Sequence, residues 1–243
     1  DPYFTDARMI SILQSIKRTY PDCAVTLSIG EKSEESDACY RKAGADRYLL
    51  RHETANRTHY EKLHPPTLSF DHRRQCLYTL KALGYSVGCG FMVGSPYQTA
   101  ECLAEDMMFM QELQPQMVGI GPFIPHHDTP FAQKPGGTLE TTLRMLALTR
   151  LLLPQALLPA TTALGSISPN GRSMGLLAGA NVVMPNLSPM EVRKKYMLYD
   201  NKISTGVEAA ANIKELKQRM ASIGYEVVTD RGDHKKNKRS SCP

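Results

Sequence analysis

The sequence predicts an α/β fold on a parallel sheet of six visible strands, with a barrel favoured over an open, doubly wound sheet. Three observations lead there. Strand and helix signals alternate strictly over six units, the pattern of a parallel sheet with helical crossovers. No GxGxxG follows the first strand and no Walker loop occurs, so open nucleotide-binding sheets lack their fingerprint. The strands also have two unlike faces, one branched and apolar, the other small, polar or Met, which suits a sheet wrapped around a roomy lumen.

A first helix is expected over 5–19, where Met9, Ile10, Ile12, Leu13 and Ile16 recur at helical spacing before Pro21 stops it. The first strand, 24–29, turns Val25, Leu27 and Ile29 one way and Thr26 and Ser28 the other; Gly30 and an acidic helix through Lys42 follow. The second strand is 47–53. A helix over 70–83 has Gly84 beyond its C-terminus. In the third strand, 86–93, Val87, Cys89, Phe91 and Val93 oppose Ser86, Gly88, Gly90 and Met92. Thr99 opens a helix to Leu113, with Glu101 and Glu105 near its positive end. The fourth strand, 117–123, sets Val118 and Ile120 against Met117, Gly119 and Gly121. A helix over 139–153 stops at Pro154; strands five and six are 158–163 and 181–184; a last helix runs from about 207 to 223.

Composition narrows the function classes. Of the net charge of +5, the segment 231–243 carries +4, five basic residues against Asp233, and reads as a disordered tail. The body is nearly neutral, with no basic face for nucleic acid. No apolar stretch approaches a membrane span, and residues 1–4 do not read as a secretory leader. The six cysteines are scattered without CxxC spacing, which points to reduced thiols in a cytoplasmic compartment and to no clustered metal site.

The second strand runs from Tyr48-Leu49-Leu50 straight into Arg51-His52-Glu53. Arg51 and Glu53 share a face with Leu49, and His52 points the other way. They stand at the C-terminal end of their strand, where barrel sites are built. Two readings are open. One is a structural ion pair, with each other or with Arg73. The other is a clamp for a zwitterionic ligand, Glu53 on an ammonium and an arginine on a carboxylate. Thr161 and Thr162, ending the fifth strand, suit an anion or simply reflect strand propensity. Met117 and Met184 lie near strand ends, and Tyr196 and Tyr199 beyond the sixth strand either lid the lumen or pack. His126-His127-Asp128 reads as a structural loop more than a metal site, and Cys76 as core.

Several strings are more specific: RHETAN (51–56), VGIGPFIPHHDTP (118–130), LPATTALGSI (158–167) and ANVVMPNLSP (180–189). Together, over 1–202, they resemble the radical S-adenosylmethionine maturases of FeFe-hydrogenase, the HydE family, within a superfamily that includes biotin and methylornithine synthases. The resemblance implies a (β/α)8 TIM-type barrel of the radical S-adenosylmethionine type, about six of eight βα units being present in 1–200. A closing helix over 201–226 and the basic tail over 227–243 would follow. It also implies S-adenosyl-L-methionine and a 4Fe–4S cluster as cofactors. The activity implied is a 5′-deoxyadenosyl radical acting on a small cysteine-bound iron carbonyl–cyanide precursor. Other hydrogenase maturases are candidate partners, with no nucleic acid or membrane. The setting implied is the cytoplasm of an anaerobic cell, or an organelle in a eukaryote.

By motif alignment, Glu53 and Arg73 would hold the methionyl end of S-adenosylmethionine, and Thr26 and Ser28 would line that pocket. Arg51, Thr161 and Thr162 would grip the substrate carboxylate, and Met117, Met184 and Tyr196 would wall the cavity. No catalytic or metal-ligating residue is assigned, because the family's CxxxCxxC is absent. That suggests a sequence lacking the first two βα units, inactive by itself. Ser204, Asn212 and Glu215 stand where some relatives have three cysteines, so no second cluster is expected. Tyr97 replaces a glycine usual in the superfamily. A related radical mutase or synthase, or a non-catalytic anion-binding barrel, remain the alternatives.

Overall fold

The computed structural model describes residues 3–185 and 213–234. Four parallel strands form the sheet in chain order: β1 (Thr26–Leu27), β2 (Arg47–Leu49), β3 (Ser86–Val93) and β4 (Met117–Pro122). Thr26 is in register with Arg47, Tyr48 with Val87 and Gly88 with Met117. Two single parallel bridges carry the order onward, Met117 to Leu157 and Pro159 to Val182. A doubly wound sheet reverses its strand order at a switch point; this one never does, which is the order of a barrel.

The fifth and sixth strands therefore keep their expected place and direction but shrink to bridges. Pro159 has no N–H for a ladder, and the Leu158 N–H donates to the Asn181 side chain at 2.8 Å instead of to a backbone carbonyl. The first strand is likewise shorter than 24–29.

The helices are α1 (Asp6–Thr19), α2 (Glu34–Ala43), α3 (Arg57–Leu63), α4 (Phe70–Ala82), α5 (Ala100–Leu113), α6 (Leu139–Leu152), α7 (Thr162–Ile167), α8 (Gly171–Leu177) and α9 (Ile213–Ala221). Side chains cap the N-termini of α1 to α6, as when the Ser69 hydroxyl accepts from the His72 N–H and the Thr99 hydroxyl from the Cys102 N–H. The short helices α3, α7 and α8 were not expected. Positions 207–212 of the expected last helix lie outside the described residues. Among the described residues, no helix is long and apolar enough to cross a membrane.

The two faces separate as their residue types require. Val87, Cys89, Phe91, Val93, Val118 and Ile120 are each at most 1% exposed, in the core beneath the helices. Opposite them, Gly88 gives way to large neighbours: a Cβ there would stand 2.7 Å from Leu49 Cδ1 and 3.0 Å from Met117 Cε. Leu49 and Met117 therefore fill the lumen at that level. Tyr97 sits at φ 66, a left-handed backbone that a glycine would adopt without strain.

The C-terminal segment folds back onto the start of β2. Asp46 accepts from Lys17 Nζ at 2.7 Å, from the Val25 N–H at 2.9 Å and from Arg231 Nη2 at 2.7 Å. Arg47 Nη2 donates to Arg231 O at 2.7 Å and meets Asp233 at 3.1 Å. Of the expected tail, Arg231 and Asp233 thus make contacts with the start of β2, and 235–243 lie outside the described residues.

Candidate functional site

The regular strand β2 ends at Leu49, four residues before the expected end, yet the chain keeps its course. The Leu50 N–H donates to Gly88 O at 2.9 Å, the Glu53 N–H to Gly90 O at 3.1 Å, and Glu53 bridges Phe91. Between these contacts the backbone kinks, and Glu53 takes φ 66. A left-handed residue without a glycine's freedom costs roughly 1 kcal/mol and needs support from around it.

Helix α5 supplies that support from the outer side. His52 points away from the lumen, as alternation requires, and its Nδ1 accepts from the Gly90 N–H at 3.3 Å. Its Nε2 lies 3.2 Å from Asp106 Oδ1, which also accepts from the Ala55 N–H at 2.5 Å. Asn56 Nδ2 donates to Glu105 Oε1 at 2.8 Å. The RHETAN segment is thereby pinned at three points to the helix behind it.

On the inner side, Arg51 and Glu53 line a cavity of about 220 Å³ with Leu63, His64, Met92, Pro96, Phe123 and Phe131. Arg51 Nε and Nη2 and Glu53 Oε2 are buried without a hydrogen-bond partner, and neither residue makes an ion pair among the described residues. The ion-pair reading, with each other or with Arg73, is thus corrected: the groups lie near one cavity unpaired. Each such atom costs about 1–3 kcal/mol when nothing binds it. Thr161 Oγ1 is a further buried hydroxyl without a partner. It belongs to the N-cap of α7 but makes no cap bond, and a Cβ on Gly121 would lie 2.8 Å from it.

The remaining expected residues are more dispersed. Arg73, on α4, turns Nε to within 2.8 Å of Glu31 Oε1, a contact too bent to be a hydrogen bond. Thr26, in β1, and Ser28, just after it, are exposed, Thr162 opens α7, and Met184 is 54% exposed. Tyr196 lies outside the described residues. Sequence reading missed the cavity's wall. His64 stacks on Tyr60 with centroids 4.0 Å apart, and His59, whose pKa burial pushes down, lies with Nε2 3.0 Å from Pro96 O. The Asn56 N-cap was the signal that could have placed α3, and with it Leu63 and His64.

On one cavity, the unpartnered Glu53 Oε2 fits an ammonium such as that of S-adenosylmethionine, and the unpartnered Arg51 nitrogens fit a carboxylate. A 4Fe–4S cluster does not fit the described residues: the groupings of metal-ligating side chains there contain at most one cysteine each.

No family model matches the chain. It is 27% identical to 3-methylornithine synthase of Methanosarcina acetivorans over 93% of this chain and 63% of that one. The solved structure of methylornithine synthase PylB shares the fold, with a TM-score of 0.77 at 23% identity over 94% of this chain and 66% of that one. The FeFe-hydrogenase maturase subunit HydE of Thermotoga maritima is 47% identical over 97% of this chain and 67% of its own length. The chain thus spans about two thirds of the relatives it matches. With that identity across that share of the maturase, the chain belongs to the HydE family of FeFe-hydrogenase maturases, within the radical S-adenosylmethionine superfamily.

Proposed function

We propose that the full-length protein acts in FeFe-hydrogenase assembly as a radical S-adenosylmethionine enzyme whose substrate is a cysteine-bound iron carbonyl–cyanide precursor. The observation that carries this reading is the pair of unpaired buried charges, Arg51 and Glu53, beside one cavity at the C-terminal ends of parallel strands. Glu53 accepts from the ammonium of S-adenosylmethionine. Arg73, close to Glu31, offers its terminal amines to the methionyl carboxylate. Thr26 and Ser28 line that end. Arg51, with Thr161 and Thr162, holds the substrate carboxylate, and Met117, Met184 and Tyr196 wall the inner space.

When bound, S-adenosylmethionine would supply a 5′-deoxyadenosyl radical, with methionine as the other product, on taking up one electron from a reductant that the described residues do not hold. This chain's part is to orient the two ligands and to exclude water, for which Met92, Phe123 and Phe131 provide an apolar lining. The described residues do not supply the thiolates of an iron–sulfur cluster. The other hydrogenase maturases are the candidate partners.

Calorimetry tests the assignment of the two charges. S-adenosylmethionine and free cysteine are titrated separately into the wild-type chain, Glu53→Gln and Arg51→Ala. Glu53→Gln should weaken the first ligand and spare the second, and Arg51→Ala the reverse, each by about tenfold or more. Equal affinities in all three proteins would overturn the reading.

A further inference from the structure

We propose that Glu31, His72 and Cys76 form a binding site for a divalent cation of borderline softness, with zinc(II) as the natural occupant. None of the three lines the Arg51–Glu53 cavity. His72 and Cys76 are one helical turn apart on α4, so they rise from the same side of the helix. Glu31 meets them from the loop after β1, where Gly30 turns the chain at φ 81.

The spacing is what a tetrahedral ion asks for. Metal–sulfur bonds of about 2.3 Å and metal–nitrogen or metal–oxygen bonds of about 2.0–2.1 Å put S and N about 3.6 Å apart, and N and O about 3.3 Å apart. Cys76 Sγ lies 3.6 Å from His72 Nε2, and His72 Nε2 lies 3.4 Å from Glu31 Oε2. All three donor atoms fall within 4.8 Å of one another. Two of the three separations already match, and Glu31, on a loop, and the exposed His72 side chain are free to supply the remaining movement.

Two further features belong to a metal site. Glu31 presents Oε2 to His72 while its other oxygen, Oε1, lies 2.8 Å from Arg73 Nε. The contact with Arg73 is one of charge only, and it leaves Oε2 as the oxygen turned to His72. Cys76 is 7% exposed, whereas the His72 side chain is 58% exposed, so the protein encloses the sulfur side and leaves a fourth position to water. The sulfur, nitrogen and oxygen donors select zinc over magnesium or calcium, which take oxygen alone. On binding, Cys76 gives its thiol proton to solvent, the metal stays divalent, and nothing is oxidised or reduced. The bound ion would tie the end of β1 to α4.

The competing arrangement is a metal-free hydrogen-bonded triad with His72 between Cys76 and Glu31. Cobalt(II) distinguishes them when titrated into the metal-free 243-residue chain without iron–sulfur reconstitution. The expected result is a thiolate-to-cobalt charge-transfer band with intense tetrahedral visible bands, saturating near about one equivalent and erased by zinc. Cys76→Ser should remove the charge-transfer band, and His72→Gln, at an exposed position that leaves folding intact, should weaken affinity by about tenfold or more. Absence of the band in a wild-type chain whose circular dichroism shows it folded would overturn the site. So would a band that persists undiminished in Cys76→Ser.

Discussion

His52 Nε2 lies 3.2 Å from Asp106 Oδ1, with both side chains wholly sealed from solvent. Because His52 Nδ1 accepts from the Gly90 N–H, the ring hydrogen belongs on Nε2, where Asp106 accepts it. The same carboxylate oxygen holds the Ala55 N–H. Asp106→Ala would strip two buried donors of their acceptor. It is expected to cost about 3 kcal/mol, read as a fall in the urea midpoint. A loss below about 0.5 kcal/mol would mean that the strand end stands without α5.

Arg51 predicts the opposite sign. Two of its guanidinium nitrogens are buried with nothing to donate to. Arg51→Met keeps much of the side chain's length and removes the unpaired charge. The variant should unfold at higher urea, by about 1 kcal/mol, while losing affinity for the carboxylate ligand. A destabilised variant would show that Arg51 serves the fold rather than a ligand.

Gly90 predicts a structural failure. A Cβ there would meet Gly119 O at 2.1 Å, and its φ of 153 lies where L-residues are strained. Both obstacles are backbone, so neighbouring side chains cannot yield. Gly90→Ala should cost more than about 4 kcal/mol and leave little soluble protein. Near-normal expression with an unchanged thermal midpoint would contradict that.

Asp37, on α2, gives a pH dependence. It is 2% exposed, and its Oδ1 is buried without a partner. Burial pushes its carboxyl from 3.8 up to about 6; Lys32 opposes the rise, and Asp6 adds to it. The folded protein therefore holds this proton more tightly than the unfolded chain. The stability so gained is complete below 3.8 and is lost as pH rises through about 6. Asp37→Asn, neutral throughout, should match the wild type near about pH 4 and exceed it by about 1–3 kcal/mol near about pH 8. Urea titrations of both proteins at those two values provide the check; equal stability at the higher one would refute it.

What the sequence disclosed depended on how locally each feature was encoded. β3 was legible from end to end because Ser86–Val93 alternates over eight residues and pairs on both sides. Helices α1, α4 and α5 were legible from apolar spacing or from cap residues. α7 and α8 were not, since Gly165, Gly171 and Gly175 interrupt any periodicity in six- and seven-residue helices. Within the site, alternation alone separated Arg51 and Glu53 from His52. It could not show the kink at Glu53, which depends on Asp106 more than fifty residues away. Glu31 was hidden for another reason. It opens a polar, acid-rich run that reads as a solvated surface, and only the packing of α4 gives it His72, Arg73 and Cys76 for neighbours.

The grip of Arg231 on Asp46 has a consequence for the order of events during synthesis. The two residues are 185 positions apart, so Asp46 leaves the ribosome long before its partner exists. Until then Asp46 has Lys17 and the Val25 amide, and Arg47 waits for both Arg231 and Asp233. Over that interval β1 and β2 are held together without the links from Arg231 and Asp233. The nascent chain exposes that end of the sheet to chaperones or to other chains until the last segment arrives to cover it.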